Sequence, residues 1–353
     1  MAILQVGLDK RSYPIRIERG CLSRCGQLAA DTLRGKKICV VTDSNVGPLY
    51  ANTVLESFRS VGFQAHLVTI PAGETSKTPQ QLALLWEELA RLGLTRADCV
   101  AALGGGVVGD LTGFAAATFL RGVDFIQIPT SLLAQVDSSV GGKVAVDLQA
   151  GKNLAGSFYQ PRLVVMDPDT LTTLPNRVFA DGMAEVIKYG CIWDRTFFDL
   201  LASLNGRTGV ESRLEQILYT CCDIKRRVVE EDEFDTGLRM ILNFGHTFGH
   251  VYEKAYHYET YTHGEAVAAG MVAAAAVGQK LSKTPCGTDL QIAKVLARYG
   301  LPTSIEAPYS EYETTMALDK KSLGGDIHLI LLEELGKATA IKLQKSQVLD
   351  LLK

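Results

Sequence analysis

Residues 99–110 read "CVAALGGGVVGD". An apolar run gives way to three consecutive glycines, and a helix-compatible run follows from Val107. A strand that turns on glycine directly into a helix is the opening half of a βαβ crossover. Glycines at 104–106 let backbone N–H groups approach a diphosphate, and the start of the helix adds partial positive charge. The G-x-G-x-x-G spacing is missing. Taken alone, the stretch is either an anion site or a tight structural turn.

Working outward, further β-rich runs stand at 38–42 (ICVVT), 65–70 (AHLVTI), 125–129 (FIQIP) and 163–166 (LVVM). Helical patterns near 47–60, 79–93 and 107–120 separate them, which predicts a parallel sheet with crossover connections. A hairpin is expected over 2–19. Beyond "DPDTLTTLPNR" the period changes, and 176–320 reads as helical almost throughout until "HLILLEELGKATAIKL" (328–343), a late hairpin. The predicted architecture is a Rossmann-like α/β domain over 1–175 and a mainly helical domain over 176–353, with Pro175 in the linker.

Composition narrows the class. The chain has 353 residues, 47% hydrophobic and 21% charged, the balance of a soluble globular enzyme. A net charge of −3 provides no overall basic field to recruit nucleic acid. The longest apolar stretch, "AVAAGMVAAAAVG" (266–278), is too short to span a bilayer. Its small residues suggest a helix packed closely against a neighbour, within the chain or across a dimer. Eight cysteines without a C-x-x-C pair, and a charged start unlike a signal peptide, point to reduced thiols in a cytoplasmic protein.

Ligands of open α/β sheets gather beyond the carboxyl ends of the strands, where several polar groups stand. Asp43 follows "VVT" and can accept hydrogen bonds from ribose hydroxyls. Its charge disfavours a 2′-phosphate and favours NAD over NADP. "GETSK" offers Glu74 and Lys77, and the strand ending at Pro129 leads to Thr130 and Ser131. Singly, each is as well explained by capping or a turn. Their convergence on one edge of the sheet is what suggests a site.

"NFGHTFGHVYE" (243–253) places His246 and His250 on one helical face. Thr247 stands where an H-E-x-x-H protease has its general base, so that chemistry is excluded, while both, one or neither histidine can be a ligand. Catalytic zinc takes three protein ligands. Two further candidates are His263, which opens "HGEAV", and Glu185 in the apolar "FADGMAEVIKYG". Glu185 is equally readable as half of a salt bridge. Arg121, Lys143, Lys152, Lys188, Lys225, Arg239 and Lys320 are cations in polar or glycine-rich settings. They are solvated side chains singly, or anchors for an anionic substrate together.

"GGGVVGD", "PTSLLAQVDSSVGGKVAVDLQAGKNLAGSFYQP", "DGMAEVIKYG", "KRRVVEEDEFDTGLRMILNFGHTFGH" and "HGEAVAAGM", in this order through nearly the whole chain, resemble the 3-dehydroquinate synthase family of the sugar-phosphate cyclases. The resemblance implies a homodimeric enzyme dependent on NAD and on zinc or cobalt. It would convert a heptulosonate phosphate to 3-dehydroquinate and phosphate. The implied metal ligands are Glu185, His246 and His263, so only the first histidine of the pair would bind. The implied NAD contacts are Asp43, Ser44, Asn45, Ala72, Gly73, Glu74, Thr75, Ser76, Lys77 and the loop Gly104, Gly105, Gly106, Val107, Val108, Gly109, Asp110. Thr130, Ser131, Lys143, Lys152, Thr170, Leu171, Thr172 and Thr173 complete them.

Substrate contacts by the same resemblance are Asp137, Lys143, Asn153, Lys188, Lys225, Arg239, Asn243, His250 and Lys320. Arg121 would reach the site of the partner subunit. Catalytic roles would fall to His250, Lys152, Asn153, Lys188, Lys225, Asp235 and Arg239. Two departures stand out. "VAVDLQAGKN" replaces a run that in the family commonly ends N-H-P-x-G-K-N, and Asp235 stands where Glu is usual. A metal-dependent alcohol or glycerol dehydrogenase, a sister cyclase, and a non-catalytic NAD- or metal-sensing protein are the alternatives.

Overall fold

The computed structural model describes residues 2–317 and 326–351. Contacts divide the chain into two compact units, Met1–Leu174 with Glu215–Phe234, and Pro175–Leu214 with Asp235–Lys353.

The first unit begins with β1 (Ala2–Val6), β2 (Tyr13–Ile17), α1 (Cys25–Ala30), β3 (Lys37–Asp43), α2 (Gly47–Ser60), β4 (Gln64–Ile70) and α3 (Pro79–Arg91). It continues through β5 (Cys99–Gly104), α4 (Gly106–Thr118), β6 (Asp124–Pro129), β7 (Lys143–Leu148), β8 (Gly151–Phe158) and β9 (Leu163–Met166). Seven strands form one sheet in the order β1-β2-β9-β6-β5-β3-β4. The β1–β2 pair is antiparallel and every other pairing is parallel. The expected start hairpin thus extends a crossover sheet at one edge.

Strands β3, β5, β6 and β9 lack polar alternation because both their faces are covered. Along β3, Ile38 and Val40 face Val54, Leu55 and Phe58 of α2. Cys39 and Val41 face the other layer, with Leu82, Leu85 and Leu89 of α3 and Leu111 and Ala115 of α4. Gly113 lets α4 lie close to its neighbours. A Cβ there would come within 2.4 Å of Val144 Cγ1 and 3.2 Å of the Phe125 ring.

Strands β7 and β8 pair only with each other. No strand is expected from the sequence pattern over this segment. Its glycines and charged turn hide the period-2 pattern, since β8 reads "GKNLAGSF".

The second unit holds α5 (Asn176–Ile192), α6 (Arg195–Ser203) and α7 (Gly206–Glu211). Helix α8 (Leu214–Glu231) then belongs to the first unit from Glu215 onward. There Cys222 Sγ lies 3.4 Å from the Gln135 carbonyl, and Glu230 Oε1 accepts the Gly7 N–H at 2.6 Å. The chain therefore passes between units three times, after residues 174, 214 and 234, where composition suggested one boundary. An ordinary amphipathic helix carries no signal of which core it joins.

The second unit resumes with α9 (His246–Ala255), α10 (His263–Lys280), α11 (Thr288–Arg298) and α12 (Tyr309–Ala317). An antiparallel hairpin, β10 (Asp326–Glu334) and β11 (Lys337–Gln344), and α13 (Lys345–Leu351) complete it. Among the described residues, no helix is long and apolar enough to cross a membrane.

Replacing Gly113 by Ala is expected to cost about 1–3 kcal/mol, since its neighbours are buried side chains with little room to yield. The thermal midpoint in calorimetry should fall accordingly, and an unchanged midpoint would show that the layer adjusts freely.

Candidate active site

In the second unit, three elements converge because their ends are fixed locally. Gly245, in the left-handed region at φ +83°, turns the chain into α9, so His246 is its first residue. Thr262 and Glu265 form a capping box at the start of α10, with Glu265 Oε2 accepting the Thr262 N–H at 2.9 Å, which places His263 first in that helix. Asp181 of α5 accepts the Gly264 N–H at 2.6 Å. One turn further along α5 stands Glu185, fully buried.

The helices α9 and α10 can meet this closely only because their contact is made of glycine. A Cβ on Gly270 would lie 2.1 Å from the Gly245 carbonyl oxygen; on the α5 side of α10, one on Gly264 would lie 2.0 Å from that of Asp181. The small-residue stretch is explained within the chain.

His246 Nε2 lies 3.7 Å and His263 Nε2 3.6 Å from Glu185 Oε1. One ligand atom from each residue falls within 4.8 Å of the others. Ligands at zinc–nitrogen distances around a tetrahedral ion are about 3.3 Å apart, so the spacing fits a divalent metal. The outward-facing nitrogens also fit. His246 Nδ1 is 3.3 Å from the Phe244 carbonyl, and His263 Nδ1 is 3.5 Å from the Glu253 carboxylate. Acceptors at Nδ1 turn Nε2 toward the ion, the usual support of metal-binding histidines.

Electrostatics reinforce this geometry. Lys188 pairs with Glu185 Oε2 and is itself buried. Without such partners a buried carboxylate would be strongly disfavoured. Burial and the Lys188 ammonium push the His246 pKa down to about 3, so its imidazole is neutral and ready to ligate. At His263 burial opposes the charge, but the Glu185 and Glu253 carboxylates outweigh it and lift the pKa well above the ordinary value. A metal entering there must displace a proton.

His250 is exposed one turn along α9, its ring centroid 5.6 Å from that of His246. Its nitrogens are not among the three groups that converge. Arg239 is fully buried, Asn243 half-buried, and Asp235 holds a left-handed φ of +59°. Lys320 lies outside the described residues.

In the first unit, the parallel sheet brings the predicted strand-end groups to one edge. Asp43 ends β3, Ala72 to Lys77 follow β4, Gly104 to Asp110 follow β5, Thr130 and Ser131 follow β6, and Thr170 to Thr173 follow β9. Several are already engaged. Asp43 Oδ1 accepts the Asn45 and Val46 N–H groups at 2.8 and 2.9 Å, leaving Oδ2 for other partners. Ser44 Oγ accepts from Ala72, Ser76 Oγ donates to the Pro71 carbonyl, and Thr172 Oγ1 donates to that of Asp169. Thr170 Oγ1 donates to the Asp167 carbonyl at 2.7 Å, Thr173 Oγ1 donates to the Thr170 carbonyl at 3.1 Å, and Tyr50 joins Thr173 at 2.7 Å. Leu171 packs in the core.

Gly105 and Gly106 leave room beside two hydroxyls. Cβ atoms there would stand 3.4 Å from Ser131 Oγ and 3.3 Å from Ser138 Oγ. Lys77 is buried and donates to Asp110 Oδ2 at 2.6 Å and to Asn153 Oδ1 at 2.5 Å. Burial disfavours its charge, yet Asp110 and Glu74 hold its pKa above the usual lysine value. Lys225, on α8, donates to the Asp137 carbonyl and to Oδ1 at 2.5 and 2.7 Å. Lys143 and Lys152 stand on the β7–β8 hairpin. Arg121 is exposed at the other end of α4, with φ +65°. Thirteen helical residues, about 20 Å, separate it from the glycine loop.

The family model described as 3-dehydroquinate synthase N-terminal matches residues 67–181, and that described as 3-dehydroquinate synthase C-terminal matches 182–322. The chain belongs to the 3-dehydroquinate synthase family. A 3-dehydroquinate synthase from Clostridium beijerinckii is 49% identical over 339 residues, covering 96% of this chain and 97% of that protein. One from Pelobacter propionicus is 46% identical over 354 residues, covering 99% of each. A solved 2-deoxy-scyllo-inosose synthase, complexed with carbaglucose-6-phosphate, NAD+ and Co2+, is 26% identical with a TM-score of 0.88, covering 99% of both chains. A 2-epi-5-epi-valiolone synthase from Streptomyces hygroscopicus, with NAD+ and Zn2+ bound, shares the fold with a TM-score of 0.86 at 24% identity, covering 98% of this chain and 97% of that one.

Three groups beside the candidate residues of the two units were missed in the sequence. Glu253 follows His246 by seven and His250 by three, a helical spacing that could have found it. Asp181 precedes Glu185 by four on α5 in the same way. Ser138 had no such signal, because it reaches the glycine loop through tertiary packing.

Gly270→Ala is expected to force α9 and α10 apart, lowering both the thermal midpoint and the capacity to retain a divalent ion through dialysis. Full retention with a normal midpoint would mean that the close contact does not hold the histidines in place.

Proposed function

We propose that the protein is a phosphate-eliminating cyclase that converts 3-deoxy-D-arabino-heptulosonate 7-phosphate to 3-dehydroquinate and inorganic phosphate. NAD and a divalent metal, zinc or cobalt, are its cofactors. The observation that carries this reading is the convergence of Glu185, His246 and His263 in a member of this family. The NAD+ and Co2+ held by the inosose synthase relative support the cofactors.

When bound, the metal would supply Lewis acidity toward a substrate hydroxyl and NAD would supply reversible hydride acceptance, with no net redox change. The chain supplies position and charge. Lys188 pairs with the Glu185 carboxylate, and the neutral His246 offers its lone pair. Once the oxidised centre has acidified the neighbouring C–H, a proton leaves that carbon and the C–O bond breaks with its electron pair passing to phosphate. His250 handles that proton traffic, and Asp235 contributes a further acceptor. Lys152, Lys225, Arg239 and Lys188 fix the substrate's two anionic ends with Lys143, Asp137, Asn153, Asn243 and Lys320. Arg121, far from the glycine loop of its own chain, serves the site of a partner subunit in a homodimer. The location is the cytoplasm, in keeping with eight free cysteines, seven of them buried.

Incubation with the heptulosonate phosphate, a divalent metal and catalytic NAD is expected to yield one phosphate per dehydroquinate, with no build-up of NADH. Stoichiometric NADH would instead mark a dehydrogenase.

His246→Ala should abolish metal retention and turnover together, whereas His250→Ala should keep the metal and lose about 100-fold or more in rate, the usual scale of a lost acid–base group. Elemental analysis beside the phosphate assay separates the two. Equal metal loss would assign both histidines to the ion.

A further inference from the structure

The β7–β8 hairpin contains a defect that the family reading does not account for. From Lys143 to Val146 the strands pair regularly, with Val146 opposite Ala155, but Leu148 then stands opposite Gly151. Asp147 alone faces three residues, Lys152, Asn153 and Leu154. Extra residues on one strand break the ladder and re-aim side chains, and bulges of this kind are common beside active sites. Here the bulge contains Lys152 and Asn153, with Asn153 in the left-handed region at φ +54°. Asn tolerates this conformation better than most non-glycine residues, but its backbone N–H has left the ladder and needs an acceptor.

Asp147 meets that need. Its Oδ1 accepts the Asn153 N–H at 2.7 Å, replacing the lost ladder bond. Its own N–H donates to the Lys77 carbonyl at 2.8 Å. Lys77 Nζ in turn donates to Asn153 Oδ1 at 2.5 Å and to Asp110 Oδ2 at 2.6 Å. Asp147, Asn153 and Lys77 thus form a closed ring of three hydrogen bonds, anchored to α4 through Asp110. Asp147 lies in the "VAVDLQAGKN" departure, where the change of sequence leaves Lys143, Lys152 and Asn153 in place.

We propose that Asp147 is a positioning residue for the reaction: it plugs the bulge and locks Lys152 and Asn153 in the orientation they need, with Lys77 as the fixed post. The proposal rests on the functional reading above, which gives Lys152 and Asn153 to cofactor and substrate.

The test uses full-length Asp147→Ala, Asp147→Asn and Asp147→Glu. Asn keeps an acceptor oxygen in place and removes the charge, whereas Glu keeps the charge and displaces the acceptor. Amide exchange in 151–155 should rise in the Ala and Glu variants and stay normal in the Asn variant. The NAD dissociation constant and the substrate KM should rise at least tenfold in Ala and Glu, with bound metal unchanged, and stay within about threefold in Asn. Should the Ala variant fail to fold, the Asn and Glu pair decides alone. Normal exchange and kcat/KM in the Glu variant, or an Asn variant as impaired as Glu, would overturn the proposal. A wild-type protein without turnover would sink the functional reading instead, and the exchange contrast would still judge the ring.

Discussion

Glu185 is a carboxylate with no exposed surface, set in a helix whose surroundings are otherwise apolar. Taking such a group out of water costs several kcal/mol unless opposite charge and donors surround it. Lys188 stands on one side and two imidazole nitrogens on the other. A few local features of the second unit bring those partners in. Gly245 and the Thr262–Glu265 cap set where the helices begin, and the glycine contact between α9 and α10 sets how near they come. An ion at this point would satisfy the oxygen facing the histidines as Lys188 satisfies the other.

The same logic, with the signs reversed, governs the first unit. Lys77 and Lys225 are buried cations, each matched to a carboxylate on the sheet's polar edge. A buried pair of this kind contributes little net stability compared with an apolar pair, but breaking one partner is costly. Such pairs hold a geometry rather than strengthen a core. The sheet's polar edge therefore combines hydroxyls already committed to backbone turns with a few charged groups fixed in place. This makes it pre-organised, since few side chains must be ordered when a ligand arrives.

Much of this was legible in the sequence, and the exceptions share a cause. The strand–glycine–helix step at 99–110 announced the crossover sheet, and helical spacing put His246 and His250 on one face. Local patterns could not say which of the two points inward, because that depends on where α5 and α10 lie. Glu185 was readable both as an ion-pair partner and as a ligand, and it stands paired with Lys188 on one side and close to both histidines on the other. The β7–β8 hairpin escaped because its strands carry no alternation and its bulge interrupts the register. Residues 215–234 escaped because an amphipathic helix advertises a buried face, but not the core that face will meet.

That last segment bears on how the polypeptide matures. The sheet unit is not complete when the ribosome has passed Leu174. It waits for some forty residues of the helical unit to emerge before α8 arrives to cover Gln135 and pair with Asp137. Until then its polar edge stands partly bare, and a fragment cut at the first crossing would lack its closing helix. The two units are thus interleaved along the chain, and neither can be released as a self-contained module by a single cleavage.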